Sequence, residues 1–381
     1  MRIGILTFFS TKDNYGQLFQ SYALQKYLQT KGHDAYIIRY LHQPPYSLLR
    51  RMVKFLLIYP IIRAIINYKD RQWRILLTKK NKKRNFDTFR ERYIRQSRKT
   101  YSCLEELTQD APIADCYIAG SDQIWSFLSK DKEYSAYFLA FGSDKTRRIS
   151  YAASFGMTHY PEAFKPILKN ELKRFSHISV READGIQICN DVGYKAEQVL
   201  DPTFLLNPSI YISFLKTPPV YTGKYAYLYI LNVLSSSEIK WETLSPLFKE
   251  INIQPIITIS SGCLQAKELF HVDDYCYATP EEWLTNIYYS ELVITTSFHG
   301  VAFSLIFHKN FIFFPLKNKF SRGNNRVYDL LNKVGLLKKI ISDKTDLQRA
   351  IEMPIYWQDI ENRLNKLREQ SEYFLTHALK S

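Results

Sequence analysis

The chain is 381 residues long, carries a formal net charge of +15, and is 46% apolar and 15% aromatic. That length exceeds one ordinary core and points to two domains, with ample apolar material for both. Cys103, Cys116, Cys189, Cys263 and Cys276 are scattered and form no Cys-x-x-Cys pair. This argues against a disulfide frame or a thiolate zinc site and for a reducing compartment.

The first apolar stretch, Met1 to Phe9, reads as a strand from Arg2 that ends in Ser10-Thr11. No small-residue cleavage site follows it, so a cytoplasmic protein is expected. Asn14-Tyr15-Gly16 turns into a helix that runs to about Thr30. Phe19, Ala23, Leu24, Tyr27 and Leu28 form its apolar face and Gly32 ends it. Ala35–Tyr40 is the next strand.

Between His42 and Lys99 stand 17 Lys and Arg against three acids (Asp70, Asp87, Glu91), a balance of +14 that holds nearly all the charge excess. We read a basic helical insertion over about 43–98. Its opening, Tyr46 to Ile66, sets Arg50, Arg51, Lys54 and Arg63 among bulky apolar residues. It is too short and too charged to span a bilayer. The mixture fits a helix lying in the membrane interface, bent at Pro60, its basic side toward anionic headgroups. A packed helical insertion with solvated cations is the other reading. The aromatics do not interleave as a stacking platform, so nucleic acid is not expected.

Strands follow near Cys116–Ala119, Arg148–Ala152, His177–Val180 and Gln198–Leu200, with helical patterns between most of them. The proline-rich passage from Asp201-Pro202 to Gly223 lacks periodicity and marks the domain junction. A second series has strands at Tyr225–Leu231, Pro255–Ile259, Leu292–Thr295 and Phe311–Phe314. A helix starts at Thr279-Pro280-Glu281, and a terminal helix spans about 357–379. Two consecutive βα series predict an α/β protein of two Rossmann-like domains facing across a cleft. The first is 1–205, with the insertion, and the second 206–381.

Several predicted strand ends carry chemistry. Leu292 to Gly300 puts His299 where a strand ends and a helix begins, beside unpaired N–H groups that suit an anion. A hydrogen-bonded structural histidine would satisfy the same local pattern. Gly120-Ser121-Asp122 places a carboxylate at another strand end, where it could also cap a helix. Arg181 follows a further strand and could equally be a surface ion pair. Lys317, Lys319, Arg322 and Arg326 follow the Phe311 strand, with Asn324-Asn325 opening the next helix; these cations could be solvated. Together they describe a cationic pocket suited to phosphate and carboxylate.

In chain order stand Asn14-Tyr15-Gly16 with Gln20 to Gln25, Gly120 to Trp125, Ser150 to Gly156, Ser179-Val180-Arg181-Glu182, Asp201-Pro202-Thr203, and Ser297-Phe298-His299-Gly300. From Met1 to roughly Leu337 the chain resembles the polysaccharide pyruvyl transferase family. The ordered set is far more specific than any one motif. The resemblance implies a GT-B-like fold and transfer of the pyruvyl unit of phosphoenolpyruvate onto a sugar as a cyclic ketal. The basic insertion departs from a minimal family member, so the resemblance says little about it.

That chemistry needs cations for two anionic groups, a proton donor to the methylene carbon and a base for the sugar hydroxyls. The residues then take roles: His299 as acid and Asp122 as base. Arg181, Ser297, Gly300, Lys317, Lys319, Arg322 and Arg326 lie on the donor side. Asn14, Tyr15, Gly16, Gln20, Ser121 and Gln123 lie on the acceptor side. No cofactor or metal is expected beyond phosphoenolpyruvate as co-substrate. The expected setting is cell-surface polysaccharide biosynthesis on the inner face of the membrane, with a lipid-linked or polymeric glycan as acceptor. A glycosyltransferase using a nucleotide sugar, or a non-catalytic glycan-binding protein, are the alternatives.

Overall fold

The computed structural model describes residues 1–41, 82–126, 132–259, 270, 275–342 and 346–380. The part of the expected insertion over 43–81, with Arg50, Arg51, Lys54 and Arg63, and Cys263 lie outside the described residues.

Strands β1 (Arg2–Leu6), β2 (Asp34–Tyr40), β3 (Gln96–Tyr101), β4 (Cys116–Ala119) and β5 (Arg147–Ser150) form one parallel sheet in the order β3-β2-β1-β4-β5. Two short parallel strands, β6 (Ser179–Val180) and β7 (Glu197–Gln198), join it through single bridges from Ile149 to His177 and from Ala153 to Val180. A second parallel sheet holds β8 (Tyr225–Ile230), β9 (Gln254–Ile259), β10 (Leu292–Thr295) and β11 (Phe311–Phe313) in the order β11-β10-β8-β9. Strands covered on both faces read as unbroken apolar runs, and every residue of β8 is buried. The α/β expectation holds, with two sheets of Rossmann type.

Strand order reverses between β1 and β4 in the first sheet and between β8 and β10 in the second. At such a reversal the connecting loops run to opposite sides and leave a crevice at the carboxyl ends of the strands. Two of the loops that carry candidate residues, after β4 and after β10, sit at these reversals.

Several boundaries differ from the sequence reading by more than one residue. β1 ends at Leu6, short of Phe9, because the Thr7 hydroxyl turns to the carbonyl of Ser121 and the chain leaves the sheet. The helical insertion expected to reach residue 98 stops earlier. A helix spans Phe86–Tyr93, and Gln96–Arg98 belong to β3. β3 is an edge strand whose Arg98 and Lys99 face solvent, and exposed charge on an edge deters further pairing. The strands around β5, β6 and β7 are shorter than predicted or displaced by a residue or more.

Helix Tyr15–Thr30 is capped by Asn14, whose Oδ1 accepts the Gln17 amide at 3.1 Å. Its start is buried on most sides because it packs on the second sheet as well as the first. The Tyr15 ring stacks on Trp283 at 5.2 Å, and Phe19 meets Trp283 at 5.7 Å and Phe303 at 5.4 Å. One apolar core therefore runs through both units. Arg84 adds a polar tie: it donates to the Tyr15 hydroxyl at 3.2 Å and to the Ile259 carbonyl at 2.7 Å.

The terminal helix spans Trp357–Lys380 and returns to the first sheet. Ser371 Oγ accepts the Leu200 amide at 2.9 Å, and Arg368 donates to the Phe204 carbonyl at 2.8 Å. Among the described residues, no helix is long and apolar enough to cross a membrane.

Candidate functional site

β10 ends at Thr295, and the helix Phe298–Ile306 begins almost on top of it. A Cβ at Gly300 would lie 2.2 Å from Thr295 Oγ1, so only glycine lets the helix start so close to the strand. Thr296 locks the neighbouring loop by exchanging hydrogen bonds with the Leu231 backbone at 2.8 and 2.9 Å. The first-turn amides of this helix lack intrahelical acceptors and face the seam between the two sheets.

Across the seam stands the loop after β4. Asp122 has φ 87°, in the left-handed region that costs a residue with a side chain. The conformation is held by the Ile124 and Ser154 amides on the Asp122 carbonyl, at 2.8 and 3.0 Å. Its Oδ1 accepts the Gln123 amide at 2.8 Å and its Oδ2 accepts Gln17 Nε2 at 3.0 Å. The carboxylate is thus at the site, with part of its capacity used locally.

Arg181 follows β6 and is buried. Its Nε donates to Glu182 Oε1 at 2.9 Å and its Nη1 to Asp201 Oδ2 at 3.1 Å, while Nη2 is buried with no partner. Arg326 comes from the opposite side. Its Nε is also buried and unpaired, and its guanidinium lies 5.9 Å from the Phe298 ring centroid, where Arg181 lies 4.7 Å away. Burial, then repulsion by Arg181, pushes Arg326 down to about 10. Two arginines crowd one phenyl ring with N–H groups to spare, an arrangement that an anion between them would relieve.

Asp201 anchors this group. It is fully buried, its Oδ1 taking the Thr203 amide at 3.0 Å and hydroxyl at 2.8 Å. Its Oδ2 accepts from Ser121 Oγ at 3.0 Å and stands 3.4 Å from His299 Nε2. Burial alone would raise the carboxyl; His299, Arg181 and the Thr203 amide outweigh it and hold Asp201 well below the usual carboxylate range.

His299 therefore meets Asp201, Arg181 lies one contact away, and Asp122 faces them. Of the four cations in the 317–326 loop, Arg326 points in, Lys317 and Arg322 are exposed, and the Lys319 side chain lies outside the described residues. Arg322 lines a narrow cleft with Gln123, Glu182 and Arg326. Ser297 precedes the helix without a side-chain cap bond.

The residues expected on the acceptor side divide. Gln123 lies along that narrow cleft, and a Cβ at Gly156 would lie 2.5 Å from its Nε2. Asn14 caps its helix. Tyr15 is buried in the interdomain core, its hydroxyl donating to the Ala278 carbonyl at 2.6 Å. Gln20 is fully buried, and its Nε2 donates to Thr7 Oγ1 and to the Phe8 and Gln17 carbonyls at 3.0–3.1 Å. Ser121 serves Asp201. Gly16 lies directly beneath His299.

Asp201, Glu182 and Phe298 were visible in the motifs but carried no role there. Their signal was position: each follows a strand on the same side of the sheets as His299. Among the described residues, no group of three or more His, Cys, Asp or Glu could hold a metal ion.

UDP-GlcNAc 2-epimerase from Neisseria meningitidis bound to UDP-GlcNAc is similar in structure, with TM-score 0.50, 10% identity and 100% of each chain covered. The Methanocaldococcus jannaschii UDP-GlcNAc 2-epimerase has TM-score 0.44 and 14% identity over 99% of this chain and 100% of that one. MurG of Acinetobacter baumannii has TM-score 0.41 and 10% identity over 100% of each chain. The Neisseria likeness bears on the fold alone and agrees with a GT-B-like pair of Rossmann-type units. No curated protein matches the chain. The model of the family described as polysaccharide pyruvyl transferase matches residues 14–318, which contain His299, Arg181 and Asp201 but not Arg326. A match over that span, through both sheets, means that the chain belongs to the polysaccharide pyruvyl transferase family.

Proposed function

We propose that the protein transfers the pyruvyl group of phosphoenolpyruvate to a hexose of a lipid-linked or polymeric glycan as a cyclic ketal. The observation that carries this reading is the pair of arginines, Arg181 and Arg326, with buried unpaired N–H groups at the start of the His299 helix. A small dianion that also bears a carboxylate would satisfy both, with the first-turn amides as further donors.

His299 gives a proton to the methylene carbon, forming a C–H bond and leaving an oxocarbenium-like centre at the adjacent carbon. One sugar hydroxyl attacks that centre and its proton returns to the imidazole. A second hydroxyl attacks, the carbon–oxygen bond to phosphate breaks, and the second proton leaves with the phosphate. Asp122, across the seam, is the base that takes the second hydroxyl's proton and passes it to the departing phosphate. The glycan enters from the first sheet, where Phe8, Lys12, Arg39, Tyr40, Arg90 and Tyr137 line a cavity over the ends of β1 and β2. Its aromatic faces suit a saccharide, while Lys12 and Arg90 are already paired with Asp87 on the same wall.

The basic, apolar segment that opens at Tyr46, with Arg50, Arg51 and Lys54, brings the enzyme to the anionic inner face of the membrane, where a lipid-linked acceptor resides. The test is incubation with phosphoenolpyruvate and a panel of lipid-linked saccharides, following phosphate release and product mass. Phosphate release that depends on acceptor, with the mass gain of a pyruvyl ketal, is the expected result. Turnover of a nucleotide sugar in its place would overturn the reading.

A further inference from the structure

We propose that Asp201 fixes the orientation and tautomer of His299, holding the proton on Nε2 so that Nδ1 is the atom that exchanges a proton with substrate. The inference rests on the reading of His299 as proton donor and adds which nitrogen acts and what aims it.

The Asp201 carboxylate has little freedom. Thr203 occupies Oδ1 through both amide and hydroxyl, so the group cannot turn, and Oδ2 is left facing Arg181, Ser121 and the imidazole. The 3.4 Å approach to Nε2 is an ion-pair distance, and that nitrogen is sealed from solvent with no other partner. Substrate reaching Nε2 would have to displace a buried carboxylate. The opposite ring edge differs. Nδ1 is not among the sealed, unpartnered atoms, and the residue beside it is Gly16, where a Cβ would lie 2.0 Å away, so only glycine leaves that edge room at the seam.

An ionised carboxylate accepts and cannot donate, so it selects the Nε2–H tautomer. This is the arrangement by which a partner of one ring nitrogen sets the chemistry of the other. Asp201 is the group in direct contact, so its removal should have the largest effect on the ring.

The test is nitrogen-15 NMR of the full-length protein labelled in histidine, with His299→Gln to assign the signal and Asp201→Asn as the probe. Neutral His299 in the wild type should carry its proton on Nε2. Asp201→Asn should shift it toward Nδ1–H. In turnover, Asp201→Asn should lower kcat because the ring is no longer aimed, while the loosened Arg181 raises KM for phosphoenolpyruvate. A wild-type Nδ1–H tautomer, or an unchanged signal in Asp201→Asn, would overturn the proposal. Should the variant not fold, the wild-type tautomer decides. A protein that ignores phosphoenolpyruvate yet shows the Asp201-dependent tautomer would sink the functional reading and leave the pairing standing.

Discussion

Gly16 and His299 start helices on opposite sheets, and they touch: a side-chain carbon at residue 16 would lie 2.0 Å from Nδ1, 2.2 Å from Cγ and 2.6 Å from Cβ of the imidazole. No rotamer of a neighbour can relieve that overlap without moving the ring or parting the helices. Gly16→Ala should therefore displace His299 by a fraction of an ångström to an ångström. A misplacement of that size can cost about 10²-fold in turnover. The helix itself should gain from alanine, so a thermal melt should show folded protein. Wild-type turnover in Gly16→Ala would mean that the contact does not set the geometry of the site.

Arg326 has buried N–H capacity unused and a like charge beside it. Arg326→Met should keep or raise thermal stability, since it removes a cation that burial and Arg181 both oppose. Affinity for phosphoenolpyruvate should fall about 10- to 100-fold, the range of one charge-assisted hydrogen bond at about 1.5–3 kcal/mol. Calorimetric titration with phosphoenolpyruvate measures the second effect. Arg181→Ala should weaken the donor comparably but also destabilise the fold, because Asp201 and Glu182 would be left buried without their cation.

His299→Gln preserves much of the shape of the ring and removes the titratable proton. Turnover should fall by about 10²–10⁴-fold with the protein still folded. Near-normal phosphate release from a folded variant would return His299 to a structural role.

Asp201 also sets a pH dependence of stability. Its carboxyl is held well below the usual range in the folded state, so the unfolded chain takes up the proton first as pH falls. The stabilisation is present above the ordinary carboxylate range and is lost on moving toward strong acid. Asp201→Asn should thus destabilise the protein more at pH 7 than at about pH 3. Urea midpoints at the two pH values decide it; an equal loss at both would show that Asp201 is not held low.

Arg50, Arg51 and Lys54 changed together to glutamate should release the protein from anionic vesicles. Each cation near such a surface contributes about 1 kcal/mol. Activity on a long-chain lipid acceptor should fall more than activity on a short soluble analogue, and high salt should imitate part of the effect. Wild-type protein that stays off anionic vesicles at low salt would leave the acceptor to be reached another way.

Much of the fold was legible because it is local. Parallel strands buried on both faces are unbroken apolar runs, so Cys116–Ala119 and Leu292–Thr295 were found at their true limits. Asn14 and Thr279-Pro280 announce their helices by capping chemistry that needs no partner elsewhere. β3 was missed because an exposed edge strand carries the charges of a solvated helix face. The strand-to-helix position of His299 was likewise readable, and so was the presence of cations after β11.

Contacts across the seam were decided by tertiary structure alone. Whether a polar side chain is free for a ligand depends on whether the fold has already used it. Gln20 and Ser121 are spent on Thr7, the backbone and Asp201, while Arg326 has its Nε–H left over. Which of four neighbouring cations turns inward depends on Phe298 and Arg181, far away in sequence. Asp201 looks like a residue that merely caps a short turn until the second sheet brings His299 to it. Capping, propensity and apolar runs are properties of a segment; satisfaction and charge crowding are properties of a packed pair, and only the folded chain brings those pairs together.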